Sequence, residues 1–341
     1  MKTNYRIRII CSFKYAAGLT KKLVPSLFSL LMLLVITLAF MFPEFEQQNG
    51  VPSLSVAVKY GTSAIFFYYG ASLNTNDIIK DLANWRTHVI VQTSTYILFP
   101  LIGMLLYSLA KILLTPPLEL GFIFLASLPT TISSCVSLTS IARGNVSAAI
   151  FNTTLSCLLG FFFTPFIVGL IALSEAIDFQ IMDSIAHASL ILLAPFVAGQ
   201  LLRKFIKPFV QRYCSLAHIT ERSIILLVVF DSFSTTVNEG LWTTFRLNEL
   251  ITACLMIIFV MVIVFTFALL SARTLGISLE DKIAVVFCGT SKSLAIGVPT
   301  SHILFSTVQG SGLLILPLLL YHQAHIIACS IMANYYIIKA K

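Results

Sequence analysis

Phe287-Cys288-Gly289-Thr290-Ser291-Lys292-Ser293, with Pro299 a few residues on, is the stretch on which the fold turns. It lies midway along an apolar run, 281–307, that is long enough to cross a bilayer, whose hydrocarbon core of about 30 Å takes roughly 20 residues of helix. Gly289 lowers the cost of non-helical backbone there. Lys292 puts a charge at a depth where insertion costs about 3 kcal/mol, so it should face a cavity or a partner rather than lipid. A structural ion pair or snorkelling is the blander reading. An earlier apolar run, 118–141, contains a matching irregularity, Leu128-Pro129-Thr130-Thr131-Ile132-Ser133-Ser134-Cys135. Pro129 removes a backbone donor and clashes with the preceding turn, leaving the Thr and Ser hydroxyls to bond the freed carbonyls or a ligand. One such segment would pass as ordinary membrane-helix proline and serine. Two, placed alike, read as helix breaks at Pro129 and Gly289.

Outward from these two runs, apolar stretches at 23–42, 52–73, 87–110, 118–141 and 145–173 are followed by 184–202, 219–237, 248–272, 281–307 and 312–338. The expectation is an all-α polytopic membrane protein of ten transmembrane helices. Lys and Arg cluster in alternate loops and at both ends, as cytoplasmic segments require, so both termini should be cytoplasmic. The spans divide into two sets of five around an acidic loop with Glu175, Asp178 and Asp183. Five is odd, so a second copy would enter the membrane inverted, the plan of many secondary transporters. The units are then a cytoplasmic segment 1–22, a first five-helix repeat 23–173 and a second 174–341, with broken fourth and ninth helices. The first run is too long for a signal h-region and ends without a small-residue cleavage site. It reads as an uncleaved span, and with no targeting extension the membrane reads as a bacterial inner membrane.

Composition agrees. The 341 residues are 57% hydrophobic and 11% charged, with a mean hydropathy of +0.93, whereas a soluble domain carries roughly a quarter charged residues. The net charge of +8 sits beside anionic lipid headgroups and does not point to nucleic acid. Seven cysteines without a CxxC pair support neither a disulfide framework nor a zinc site; no metal site or cofactor is expected. Asp231 is the other clear intramembrane charge and the candidate partner of Lys292. Asn152, Thr153 and Ser156 form a polar stripe on the fifth span, fit either for helix packing or for lining a site. Tyr321, His322, Gln323 and His325 cluster on the last span, for packing, lining or proton relay. No catalytic constellation is present, so an enzyme is not expected.

Ala142-Arg143-Gly144-Asn145, followed by Ala148-Ala149-Ile150-Phe151-Asn152 and Thr164-Pro165, resembles the bile acid:sodium symporter family. Gly144 to Pro165, Phe287 to Pro299 and Leu316 to His325 look closest to its seventh-member-like branch and bacterial relatives. The resemblance implies ten helices in inverted five-helix repeats, with crossed, unwound fourth and ninth helices and two sodium sites. Ser133, Ser134 and Thr153 stand where some sodium ligands stand, Ser291 near a family glutamine, and Thr95 about where the third helix supplies another. The chain departs from the pattern at Phe287, which replaces an acidic ligand, and at Lys292, which replaces an asparagine. The first removes negative charge from a sodium site and the second adds positive charge to it, and both speak against sodium coupling. The Lys292 ammonium would then occupy the space of a coupling sodium; a proton is the other candidate coupling ion.

The function expected is a secondary transporter moving a small organic anion by alternating access. Thr95, Ser133, Ser134, Asn152, Thr153, Thr290, Ser291, Lys292, Ser293 and His322 would line its site. The alternative is a non-transporting membrane regulator of ion (calcium) homeostasis, associated with eukaryotic proteins of the resembled branch.

Overall fold

The computed structural model describes residues 27–46, 54–72, 84–174, 179–305 and 308–339. The basic segment 1–22, Lys80, Glu175 and Asp178 lie outside them. Among the described residues all regular structure is helical, as backbone in hydrocarbon requires. In chain order the helices are α1 (Leu27–Met41), α2 (Leu54–Ser72), α3 (Trp85–Leu113), α4 (Pro116–Ser127), α5 (Ile132–Ile141) and α6 (Val146–Ser174). Then come α7 (Phe179–Arg212), α8 (Cys214–Asn238), a single helical turn Leu241–Thr244, α9 (Leu247–Thr274), α10 (Leu279–Gly289), α11 (Leu294–Leu304) and α12 (Ser311–Lys339).

The protein is an integral, multi-pass membrane protein. Five segments, Trp85–Leu113, Val146–Leu170, Leu247–Thr274, Leu279–Leu304 and Ser311–Ile338, are long and apolar enough to cross a bilayer, and α4 with α5 makes a sixth, bent by 57° at its break. Leu101, Leu105 and Ile112 of α3 and Leu255, Ile258 and Val262 of α9 are exposed, an apolar surface that suits lipid and not water.

Packing sorts the helices into two groups. α2 lies along α7, and α8 rests on α1 and α2; α3 and α12 both pack on α4, while α10 packs on α3, α5, α6 and α9. The groups meet where α8 faces α11 and α12 and where α7 faces α6 and α11.

Two irregularities position the site. The first is the pair of breaks, 128–131 between α4 and α5 and 290–293 between α10 and α11, where the sequence places them. The expected cause differs for Gly289. It has no positive φ, and a Cβ there would meet Ser94 Cβ at an ordinary 3.6 Å, so that position does not need glycine. The glycines that matter flank Leu128 and Pro129: a Cβ on Gly160 would lie 2.7 Å from the Pro129 ring, and one on Gly297 2.6 Å from Leu128. The second irregularity is a π-helical turn in α3, Ser94–Leu98, a bulge of the kind found at functional positions.

Candidate functional site

Every broken helix leaves orphan carbonyls at its C-terminal end, and inside a membrane each needs a partner. At the end of α4, Phe124 O accepts from Ser127 Oγ at 2.8 Å, Leu125 O from Leu128 N at 3.4 Å and Ser127 O from Thr164 Oγ1 at 2.9 Å. Ala126 O and Leu128 O remain. Both accept from Lys292 Nζ, at 2.9 and 2.7 Å. A third carbonyl, Thr95 O, accepts from the same Nζ at 3.2 Å. The π turn explains its availability: Phe99 N bonds Ser94 O, so the donor due to Thr95 O in that register is Pro100, which has no N–H. The Phe99 ring completes the enclosure with its centroid 4.0 Å from Nζ, within cation–π range.

Lys292 is 1% exposed. Its ammonium sits at the negative end of the α4 dipole, satisfied by three carbonyls and a π face. The expected partner is therefore corrected. Asp231 does not pair with Lys292; its Oδ2 lies 2.9 Å from His302 Nε2 on α11, and among the described residues Lys292 makes no ion pair. Sequence reasoning missed His302, because a histidine two residues from a helix end carries no spacing signal.

The second break finds partners for most of its carbonyls. Val286 O accepts from Thr290 Oγ1 at 2.6 Å, Gly289 O from Ser94 Oγ at 2.5 Å, Thr290 O from Tyr321 Oη at 2.5 Å and Phe287 O from Cys135 Sγ at 3.1 Å. The two breaks bind each other: Ser293 N donates to Pro129 O at 2.8 Å, Thr131 Oγ1 to Lys292 O at 2.8 Å and Thr131 N to Ser291 Oγ at 3.2 Å. Thr130 Oγ1 and Ser291 Oγ also share a hydrogen bond. Ser293 Oγ caps α11 at Ile296 N, 3.2 Å, and His322 of α12 is buried beside the Lys292 backbone. His325 Nε2 lies 2.9 Å from Thr290 Oγ1.

Thr290, Ser291, Lys292, Ser293 and His322 thus come together at the crossing. Thr95 joins them through its carbonyl, not its hydroxyl, which donates to Val91 O at 2.9 Å. Thr153 Oγ1 donates to Ala149 O of its own helix at 2.8 Å, and Asn152 Nδ2 to Ala148 O at 2.9 Å, while the Asn152 backbone carbonyl accepts from Gln92 Nε2 at 3.1 Å. Packing therefore occupies both. Ser133 is exposed and Ser134 half-buried on the first turn of α5, whose N-cap residue, Thr131, makes no side-chain cap bond. That turn offers backbone N–H groups and hydroxyls at the positive end of a helix dipole, a setting suited to an anion.

The chain matches a family model described as the SBF-like CPA transporter family over residues 26–337. It is 38% identical to the uncharacterized protein PA2026 of Pseudomonas aeruginosa, covering 92% of this chain and 94% of that one. It is 35% identical to the putative symporter YfeH of Escherichia coli, over 91% and 92% of the two chains. Sodium/bile acid cotransporter 7 of Danio rerio is 30% identical, over 92% and 94%.

Proposed function

We propose that this chain, which belongs to the SBF-like CPA transporter family, is a secondary transporter that carries a small organic anion by alternating access and without sodium. In this reading ten spans form two inverted five-helix repeats, 23–173 and 174–341, behind a cytoplasmic segment 1–22. Both termini face the cytoplasm, and the membrane is a bacterial inner membrane, as two of the relatives are bacterial. The solute meets the open first turn of α5, with Ser133 and Ser134, beside the crossing formed by Thr290–Ser293.

The observation that carries the proposal is the coordination of Lys292. Half-helix C-terminal ends and unwound carbonyls are where secondary transporters bind a coupling cation, and here that end holds a covalently attached ammonium. Phe287 is fully buried, with its ring 6.4 Å from that of Tyr336, so it brings no ligand oxygen. The residues present do not fit a sodium ion at this place. The carbonyls also claim the lysine's hydrogen bonds, so the anion is read by the α5 helix end rather than by the ammonium.

The test is thermal stability of the purified protein in sodium against potassium chloride, since a ligand bound only by the folded state raises stability by mass action. Wild type should show no sodium-specific shift, and Lys292→Ala should show one as the carbonyls take up the ion. A sodium shift in wild type would overturn the reading. Counterflow of organic anions in vesicles tests transport itself; its absence across a broad panel would favour the regulator of ion homeostasis.

A further inference from the structure

Asp231 is 4% exposed, and its Oδ1 has no hydrogen-bond partner among the described residues. Leaving a buried carboxylate half-satisfied inside a bilayer is costly, so the arrangement calls for a role. Its other oxygen is held by His302 at 2.9 Å. Asp231 belongs to α8, in one helix group, and His302 to α11, in the other, so the pair spans the boundary between them. Ser234 Oγ, one turn along the Asp231 face, and Thr300 Oγ1 on α11 are also buried without partners. Unmet polar atoms on both helices mark a polar seam rather than a packed apolar contact.

We infer that the Asp231–His302 pair is a proton-binding site, which takes up and releases one proton as the α8 and α11 groups move apart. With a single shared proton, a neutral imidazole donates from Nε2 to the carboxylate and the pair carries one negative charge. A second proton, taken from water onto the imidazole, gives an imidazolium–carboxylate pair of zero net charge, the form that holds the two groups together across the seam. In a carrier of anions such a proton offsets the solute's charge. This coupling role rests on the transport reading; the site itself does not.

On the elements packed against the pair, the other titratable groups are Glu44 of the 3-10 turn Pro43–Glu46, Lys59, Tyr60, Tyr68 and Tyr69 of α2, His218, Glu221, Arg222 and Glu239 with α8, and Tyr321, His322, His325, Cys329, Tyr335 and Tyr336 of α12. Tyr69 bonds Glu221, Glu239 accepts from Gly310 N, and Tyr321 and His325 are engaged at the crossing. α1 carries none, and the side chains of α7 at this end lie outside the described residues.

The experiment is infrared difference spectroscopy of the full-length protein in phosphatidylcholine–phosphatidylglycerol vesicles, titrated from about pH 8 to about pH 5, the window in which imidazole changes charge. The probe is the proton alone. Emission of Trp242, whose ring is 5.4 Å from that of Phe233 on α8, is followed in parallel in a Trp85→Phe background. Beyond the band of His218, which titrates independently and is removed by working in a His218→Gln background, the protein should show an imidazolium band with a concerted change in Trp242 emission, and that concerted change should be lost in Asp231→Asn and in His302→Gln. Two variants guard against one failing to fold. The same band and emission change in both variants, or no band in the His218→Gln parent, would overturn the inference. Counterflow on the same vesicles reports separately: failed counterflow with an intact titration sinks the transport reading, and the converse sinks the proton site.

Discussion

Lys292 ties the C-terminal end of α4 to the π turn of α3 through three buried carbonyls. Removing its ammonium leaves three buried carbonyls unmet, at about 1–3 kcal/mol each, so Lys292→Met should melt several degrees below wild type in potassium buffer. An unchanged melting temperature would mean that water fills the place of the ammonium at no cost. A second residue-scale prediction concerns His218, ahead of the apolar run of α8. It is 46% exposed and lies 3.4 Å from Glu221, whose hydrogen bond raises its pKa against the opposing effect of burial. A raised histidine pKa contributes stability that is fully present below the unfolded value of about 6.5 and lost as pH rises through the folded value. Wild type should therefore exceed His218→Gln in melting temperature at low pH and match it at high pH. For so exposed a pair the gain is below about 1 kcal/mol.

At the scale of the element, the breaks depend on neighbours with no side chain. Gly160→Ala would place a methyl 2.7 Å from the Pro129 ring. It should push the 128–131 break away from 290–293, costing about 1–3 kcal/mol; scanning calorimetry in detergent measures it, and wild-type stability would show that α6 can yield. Both breaks were legible in the sequence, because Pro129 and the mid-span lysine violate the local rule for membrane helix. The cage around Nζ was not. Its ligands are backbone carbonyls of Thr95, Ala126 and Leu128, and any residue type supplies a carbonyl. Pro100 was the one available sign, since a proline in mid-span must orphan an acceptor. Thr153 misled for the opposite reason: a hydroxyl on a membrane helix looks free in sequence, yet commonly bonds its own backbone.

For the whole molecule, the boundary between the two helix groups is where movement must occur if the protein alternates its access. Gly312 N donates to Thr236 Oγ1 at 2.8 Å across that boundary, and a Cβ on Gly312 would lie 3.0 Å from the same oxygen. That brings the two positions within reach of a disulfide, in which Cβ atoms stand about 3.8 Å apart, once α8 yields to the 2.9 Å approach of the same Cβ to Ser232 O. The double variant Thr236→Cys with Gly312→Cys should lose anion counterflow on oxidation and regain it with reductant; full counterflow in the oxidised form would place the moving boundary elsewhere. Polytopic membrane character was readable from apolar length and charge alone, but the grouping of α1, α2, α7 and α8 against the rest was not, because interfaces in lipid are not marked by hydrophobicity. The knot of bonds tying 128–131 to 290–293 has a physiological consequence. An ion borrowed from the surroundings must be bound again each time it leaves, and its occupancy follows the salinity outside. On the proposed sodium-free reading a cation built into the chain is supplied once, at synthesis, so this crossing would keep its form alike in fresh water and in brine.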